Sequence, residues 1–270
     1  MKPTLKNALI SALLLLSVPG VYAQRLPNKQ EAGLWAPVNL KIDGKATEWN
    51  NRFQAFNHAV EIYYTIANDD KNLYLTIQAT NRTIINRIIN GGISFTVAKS
   101  AKKDKDAITV TYPVFERNSR PSLNINKTFF EQSSTNVTVP DSIVIMNNRR
   151  LEEKSKLIMV TGIKGVDTLI SVYNDNDIKV AEKFDTKMAY TYELGISLVH
   201  LGLSTINPIK FNYHIVLNGT SILPEKTPDK LLKLLQISSD VDGLIAAKLG
   251  MEAQATSPTD FWGEYTLVKK

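Results

Sequence analysis

The sequence predicts an all-β fold: an antiparallel β-sandwich with one or two short helices, built as one domain over residues 37–270. Three observations predict it. Apolar and polar residues alternate with period two along much of the chain. The alternating runs are short and separated by Asn, Asp and Gly turn formers. Only two segments carry a helical spacing instead.

The first 23 residues stand apart from that pattern. Lys2 and Lys6 precede an apolar run from Ala8 to Val18, and Val21-Tyr-Ala23 forms a small-residue site before Gln24. This is the pattern of a secretory signal peptide, with cleavage expected near Ala23–Gln24. The run is shorter than the ~20 residues that span a bilayer, and Pro19-Gly20 closes it. The mature protein is therefore expected in the periplasm, at the cell surface or in the medium, peripheral to the envelope at most. The sequence has no cysteine, which excludes disulfides, thiolate metal sites and a lipid-modified N-terminal cysteine. A core alone must hold such an exported domain. Of 270 residues about 245 remain after cleavage, enough to bury one.

Charge excludes little. Removing Lys2 and Lys6 leaves 30 basic against 26 acidic residues, a net of +4. The basic residues are dispersed except around Lys99 to Lys105 and at Arg149-Arg150. The lysine-rich run lies between two apolar runs and is expected as an exposed hairpin tip, not as a nucleic-acid site.

Residues 24–36 are polar and are expected to form a leader. A short apolar strand, Leu40-Lys-Ile42, then runs into the Asp43-Gly44 turn and the Glu48-Trp49 pair. Val60, Ile62, Tyr64 and Ile66 share one strand face, and Leu73, Leu75, Ile77 and Ala79 share the next. Asn68 to Asn72 between them supplies the turn of a β-hairpin. Ile93 to Val97 and Ile108 to Tyr112 form a second hairpin. Further strands are expected at Ile143–Met146, Ser155–Thr161, Thr168–Tyr173, Ile178–Ala181, Tyr190–Ile196 and Ile209–Leu217, with a last one in Thr259–Leu267. Helices are expected at Arg82–Asn90, stopped by Gly91-Gly92, and at Thr227–Leu235, with Thr as cap and Pro at the first helical position. Ser238 to Pro258, small and polar, is expected as a long excursion.

Three phrases carry a family resemblance: Leu40-Lys-Ile-Asp-Gly-Lys-Ala-Thr-Glu-Trp49, Ala67-Asn-Asp-Asp-Lys-Asn-Leu-Tyr-Leu75 and Thr259-Asp-Phe-Trp-Gly-Glu-Tyr-Thr-Leu267. Ala189-Tyr-Thr-Tyr-Glu-Leu-Gly-Ile-Ser-Leu198 adds a strand of Tyr-Glu-x-x-Ile-Pro type, with Ser197 where Pro is usual. In this order the phrases resemble the family 9 carbohydrate-binding modules and the related DOMON-like β-sandwiches, as found in secreted Bacteroidetes-type proteins. The resemblance implies a sandwich and a non-catalytic role with a glycan or polysaccharide as partner. In those modules two tryptophans sandwich the sugar, and polar side chains fix its hydroxyls.

The expected ligand-binding residues follow from it. Trp262 is the first choice as aromatic platform, because Gly263 beside it is expected to leave open space near the backbone. Trp49 is the second, with Glu48 and His214 as hydroxyl partners. Against this stands the ordinary role of large aromatics as core. Trp35, in the leader, is free to serve as platform or lid. Asp43, Asp69 and Asp70 are the candidates for a structural calcium ion, the single cofactor considered, since calcium takes carboxylate oxygens from loops. Turn chemistry is the competing role for all three, as it is for Asp175-Asn-Asp177.

No catalytic residue is expected. The chain has no Gly-x-Ser-x-Gly elbow, His-Glu-x-x-His or phosphate loop, and no two of its histidines stand at a ligand spacing. DOMON-type haem ligation finds no Met to match. Glu193 is the best single carboxylate for a glycosidase, with a structural hydrogen bond as its competing role, and a glycosidase needs two. A structural or protein-interaction sandwich of the cell envelope is the alternative to glycan binding, and a glycoside hydrolase the third reading.

Overall fold

The computed structural model describes residues 25–99, 104–115, 119–130, 139–219 and 257–270. The signal-peptide reading of residues 1–23, most of the lysine-rich tip, the helix at 227–235 and nearly all of the excursion before Pro258 lie outside these.

The described residues form two antiparallel sheets. The first has β1 (Ala55–Asn57), β2 (Ile62–Asn68), β3 (Asn72–Ala79), β9 (Tyr190–Ser197) and β8 (Ile178–Phe184), side by side in that order. The second has β11 (Thr259–Thr266), β10 (Lys210–Leu217), β4 (Ile93–Ala98), β5 (Ile108–Val114), β6 (Leu157–Thr161) and β7 (Leu169–Ser171). The chain is an all-β sandwich with short helices. Alternation did the work: Ile62, Tyr64 and Ile66 of β2 and Leu73, Leu75 and Ile77 of β3 face inward, and so do Phe211, Tyr213 and Ile215 of β10. Each side chain of this size contributes about 1.5–3 kcal/mol by leaving water.

Polar pins cross the core. The Tyr64 and Tyr213 hydroxyls meet at 2.8 Å between the sheets, and the Gln30 N–H donates to Tyr64 at 2.9 Å. Four amide side chains imitate a strand partner, each donating to and accepting from one residue's main chain. Gln30 does so with Ile66, Asn68 with Val268, Asn147 with Asn124 and Asn148 with Phe184. Buried or edge main-chain groups that lack a ladder partner are satisfied in this way.

Among the described residues three helices accompany the sheets. In α1 (Arg82–Gly91) the Asn81 side chain caps the first turn by accepting from the Thr83 N–H at 2.8 Å, and Ile84, Ile85, Ile88 and Ile89 are buried. One turn, α3 (Leu198–Leu201), follows β9; Ser197, standing where the resembling strand has Pro, accepts from the Val199 N–H as its cap. The remaining helix, α2 (Asp141–Lys154), corrects the strand expected at Ile143–Met146. The apolar, β-branched run there imitates a strand. Pro140 at the cap, Asp141 in the first turn and the helix formers after Asn148 decide otherwise. Its buried residues Val144, Asn147 and Leu151 lie at helical spacing on one face.

The strand expected at Leu40–Ile42 is also corrected, since those residues belong to no strand. Residues 34–54 instead cross the outer face of the first sheet. Ala36, Ala46, Trp49 and Phe53 pack there on Ala67, with Leu34, Leu40, Tyr63 and Tyr74 around them, forming a second, smaller core. The expected leader is laced to β2: Trp35 bridges Asn68, and the Ala36 N–H donates to the Asn68 carbonyl at 2.9 Å.

Candidate functional site

The outer face of the second sheet carries the aromatic site. Along β10 the odd-numbered residues are buried and the even ones face out. His214 therefore lies outward, and the register sets it opposite Trp262 of β11 on one side and Thr96 of β4 on the other. The His214 and Trp262 rings stack with centroids 4.2 Å apart and planes 7° from parallel. His214 Nε2 lies 2.7 Å from Asp260 Oδ2, which fixes the imidazole over the indole. Trp262 is half-buried and borders a cavity of about 460 Å³. Lys29, Glu31, Lys210, Asn212 and Glu264 supply its polar lining. Within it Lys210 Nζ pairs with Glu264 Oε2 at 2.6 Å. Beyond Thr96 the polar face continues, with Thr96 bonded to Thr109 and Ser94 to Thr111, both at 2.7 Å.

Gly263 serves a different purpose from the one expected. It is buried on the core side of β11, and a Cβ there would stand 2.1 Å from the Tyr213 ring. The absent side chain makes room for Tyr213, not for a ligand.

Trp49 and Glu48 are not part of this site. They occupy a short 3-10 turn, Thr47–Trp49, on the outer face of the opposite sheet. Trp49 is buried in the second core, 7% exposed, which leaves it no face to offer a sugar. Glu48 accepts from Thr47 Oγ1 at 3.0 Å. The structure thus brings together Trp262 and His214 of the four expected residues and separates the other two.

Glu193 is fully buried on that opposite face. Its Oε2 accepts the main-chain N–H groups of Asp43 and Gly44, both at 2.9 Å, while Oε1 has no hydrogen-bond partner among the described residues. Burial pushes its pKa up to about 7 against the pull of the two N–H donors, and the charges of Asp43 and Glu48 push the same way. The group is a clamp for the Asp43-Gly44 turn.

A second carboxyl with the same property was not singled out from the sequence. Glu182 accepts hydrogen bonds from the Ser155 and Tyr190 hydroxyls. Burial pushes it up to about 7, with those two donors opposing. The nearby Tyr190 and Tyr192 hydroxyls are raised by burial and by Glu182. The signal was present: Ile178, Val180, Glu182 and Phe184 are the alternate residues of one strand, so a carboxylate shares the inward face.

The three calcium candidates are each engaged in a turn or a single contact. Asp69 Oδ1 accepts the Lys71 and Asn72 N–H groups at 2.7 Å, and its Oδ2 accepts the Tyr74 hydroxyl at 2.7 Å. Burial alone would raise its pKa, but these donors outweigh it and hold it below the ordinary value. Asp70 Oδ1 accepts from Thr205, and Asp43 accepts the Lys45 N–H. Among the described residues no three His, Asp or Glu side chains converge as a metal site, so the geometry does not assemble these aspartates around an ion.

Among the described residues no helix is long and apolar enough to cross a membrane. No protein-family model matches the chain, and no curated protein matches it.

Proposed function

We propose that this chain is an exported, non-catalytic glycan-binding protein of the carbohydrate-binding-module-like, DOMON-like type, and that Trp262 is its aromatic platform. The stacking of Trp262 on His214 beside a polar-lined cavity carries the reading. A pyranose presents an apolar C–H face and a rim of hydroxyls. An indole held in place by a stacked imidazole offers the flat apolar partner without further loss of side-chain freedom. Lys29, Glu31, Asn212 and the Lys210–Glu264 pair line the adjoining space as donors and acceptors for hydroxyls. Placement of polar groups around an apolar surface is what orients small ligands in general.

The non-catalytic part of the reading is supported by how the two perturbed carboxyls are used. Glu193 holds a turn and Glu182 holds Ser155 and Tyr190, on different faces of the first sheet. A glycosidase needs its two carboxyls about 5–10 Å apart flanking one bond.

A protein-interaction sandwich is the second reading. It is favoured by Met159 and Leu169, which face each other across β6 and β7 at the edge of the second sheet and are both exposed. A glycan array with the mature protein tests the first reading. Binding of a defined sugar, abolished in Trp262→Ala with an unchanged melting temperature, is the expected result. Silence across the array with a co-purifying envelope protein supports the second reading instead.

A further inference from the structure

The outer face of the first sheet carries a groove that the Trp262 site does not use. Strand register aligns Phe56, Tyr63, Gln78, Thr191 and Lys183, one from each of β1, β2, β3, β9 and β8, in a single row at right angles to the strands. The row lies just beyond the cover formed by residues 34–54. Four strand spacings of about 4.8 Å make it roughly 19 Å long. Two cavities of about 790 and 550 Å³ open at its middle, where Tyr63 lines the first and Gln78 lines both, and Asn51 and Thr80 are also common to the two. They adjoin as one groove.

The groove has aromatic ends and an uncharged hydrogen-bonding middle, with one acidic and one basic residue lining each cavity, Glu31 and Arg52 in the first and Asp185 and Lys187 in the second. Phe53 and Tyr63 wall the first cavity, and Phe129 and Phe130 the second. Tyr63 is half-exposed and held by Phe56 and Phe53, with ring centroids 4.6 and 5.8 Å away. Between the ends, Gln78 Nε2 donates to Thr191 Oγ1 at 3.2 Å. Asn51, in the wall, and Asn50 before it both take left-handed backbone, with φ of 53° and 52°. Asn tolerates this region better than most residues, yet two in succession are uncommon, and such strain clusters at ligand sites.

We propose that this groove binds a linear, uncharged oligosaccharide along its length, the rings stacking on sugars at either end and Asn51, Gln78 and Thr80 engaging hydroxyls between them. The inference rests on the glycan-binding reading and extends it to a second site, over the first sheet, which meets the Trp262 cavity at Glu31 and Ala32. A sugar chain fits better than a peptide. Strand addition needs an open sheet edge, whereas β2, β3 and β9 beneath the groove are paired on both sides. Recognition there must use side chains alone.

Calorimetry with cello-, xylo-, manno- and malto-oligosaccharides, from disaccharide to hexasaccharide, tests this. For one series the affinity is expected to rise about tenfold or more with length. Tyr63→Ala is expected to remove that gain while Trp262→Ala leaves it. Because Tyr63 also packs on the second core, Gln78→Ala and Asn51→Gly are measured beside it, the glycine suiting a left-handed position. Length-independent affinity, or a gain that survives all three groove variants, overturns the groove while the Trp262 site stands. Failure of every sugar to bind overturns both. Binding of an extended uncharged peptide, sensitive to the groove variants and without any sugar binding, overturns it in favour of a peptide site.

Discussion

Glu193 holds Gly44 across 149 residues of sequence, through one carboxylate oxygen 2.9 Å from the glycine N–H. Gly44 has φ of +78°, and a Cβ there would stand 2.7 Å from the Glu182 main chain. The turn therefore lies flat on β8 and β9, which only glycine permits. The pairing explains why an Asp-Gly phrase near the start and a Tyr-Glu strand far downstream occur together. One is the latch and the other the catch that fastens residues 34–54 over the first sheet.

That latch makes stability depend on pH. Glu193 and Glu182 are each pushed up to about 7 from an ordinary 4.5, chiefly by burial. A raised folded-state pKa means the folded protein keeps a proton that the unfolded chain releases. The stabilisation is complete below the unfolded value and is lost as pH rises through the folded value. Each group is expected to forfeit on the order of 3 kcal/mol across that window. Denaturant midpoints should fall between about pH 5 and about pH 8, with a shallower fall in Glu193→Gln. A midpoint that rises with pH would show that these carboxyls are charged in the fold.

Gly263→Ala tests the fit of β11 against the core. The new methyl would meet the Tyr213 ring at 2.1 Å, and Tyr213 is itself held by the Tyr64 hydroxyl. Overpacking of this kind costs about 1–3 kcal/mol. Thermal unfolding should show the loss in Gly263→Ala and a partial recovery in the double variant with Tyr213→Phe, which frees the ring from its hydrogen bond. No loss in the single variant would mean that Tyr213 moves aside freely.

Asn148 closes the edge strand β8 by bonding both the N–H and the carbonyl of Phe184, at 2.7 and 2.9 Å. Asn148→Ala leaves both main-chain groups without that partner, at a cost of about 1–3 kcal/mol. Asn148→Asp keeps the acceptor and loses the donor, so its loss should be smaller at low pH, where the carboxyl carries a proton. Equal stability of all three proteins by chemical denaturation would count against the clamp.

The strands were legible because period-two burial leaves a direct trace in the sequence. Every strand from β2 to β11 overlaps an expected run, the paired runs around Asn68–Asn72 most closely. Helix α2 was hidden because Ile143 to Met146 are good strand formers, and the helix depends on Pro140 and on tertiary packing of Val144 and Leu151. His214 was legible as an outward residue, from its place opposite Phe211 and Tyr213. The partition of Trp49 from Trp262 was not. It depends on which sheet face residues 34–54 cover, and alternation specifies the two faces of a strand without saying what lies over each. The Glu182 cluster and the groove at Tyr63 and Gln78 arise from register between strands far apart in sequence.

The two tryptophans should separate cleanly by mutation. Trp49 is buried among Ala46, Phe53 and Ala67, so Trp49→Ala should cost about 3–5 kcal/mol and lower the melting temperature steeply. Trp262 stands half-exposed on a sheet edge strand with one face on His214. Its removal forfeits one aromatic stack, roughly 0.5–1.5 kcal/mol beyond area burial, and exposes His214. Trp262→Ala should therefore fold with a melting temperature close to the parent while losing binding of any sugar held at that site. Trp262→Phe, which keeps a smaller ring, should restore part of the affinity. A steep fall in melting temperature for Trp262→Ala would assign the residue to the core, and retained binding in a well-folded Trp262→Ala would move the platform elsewhere.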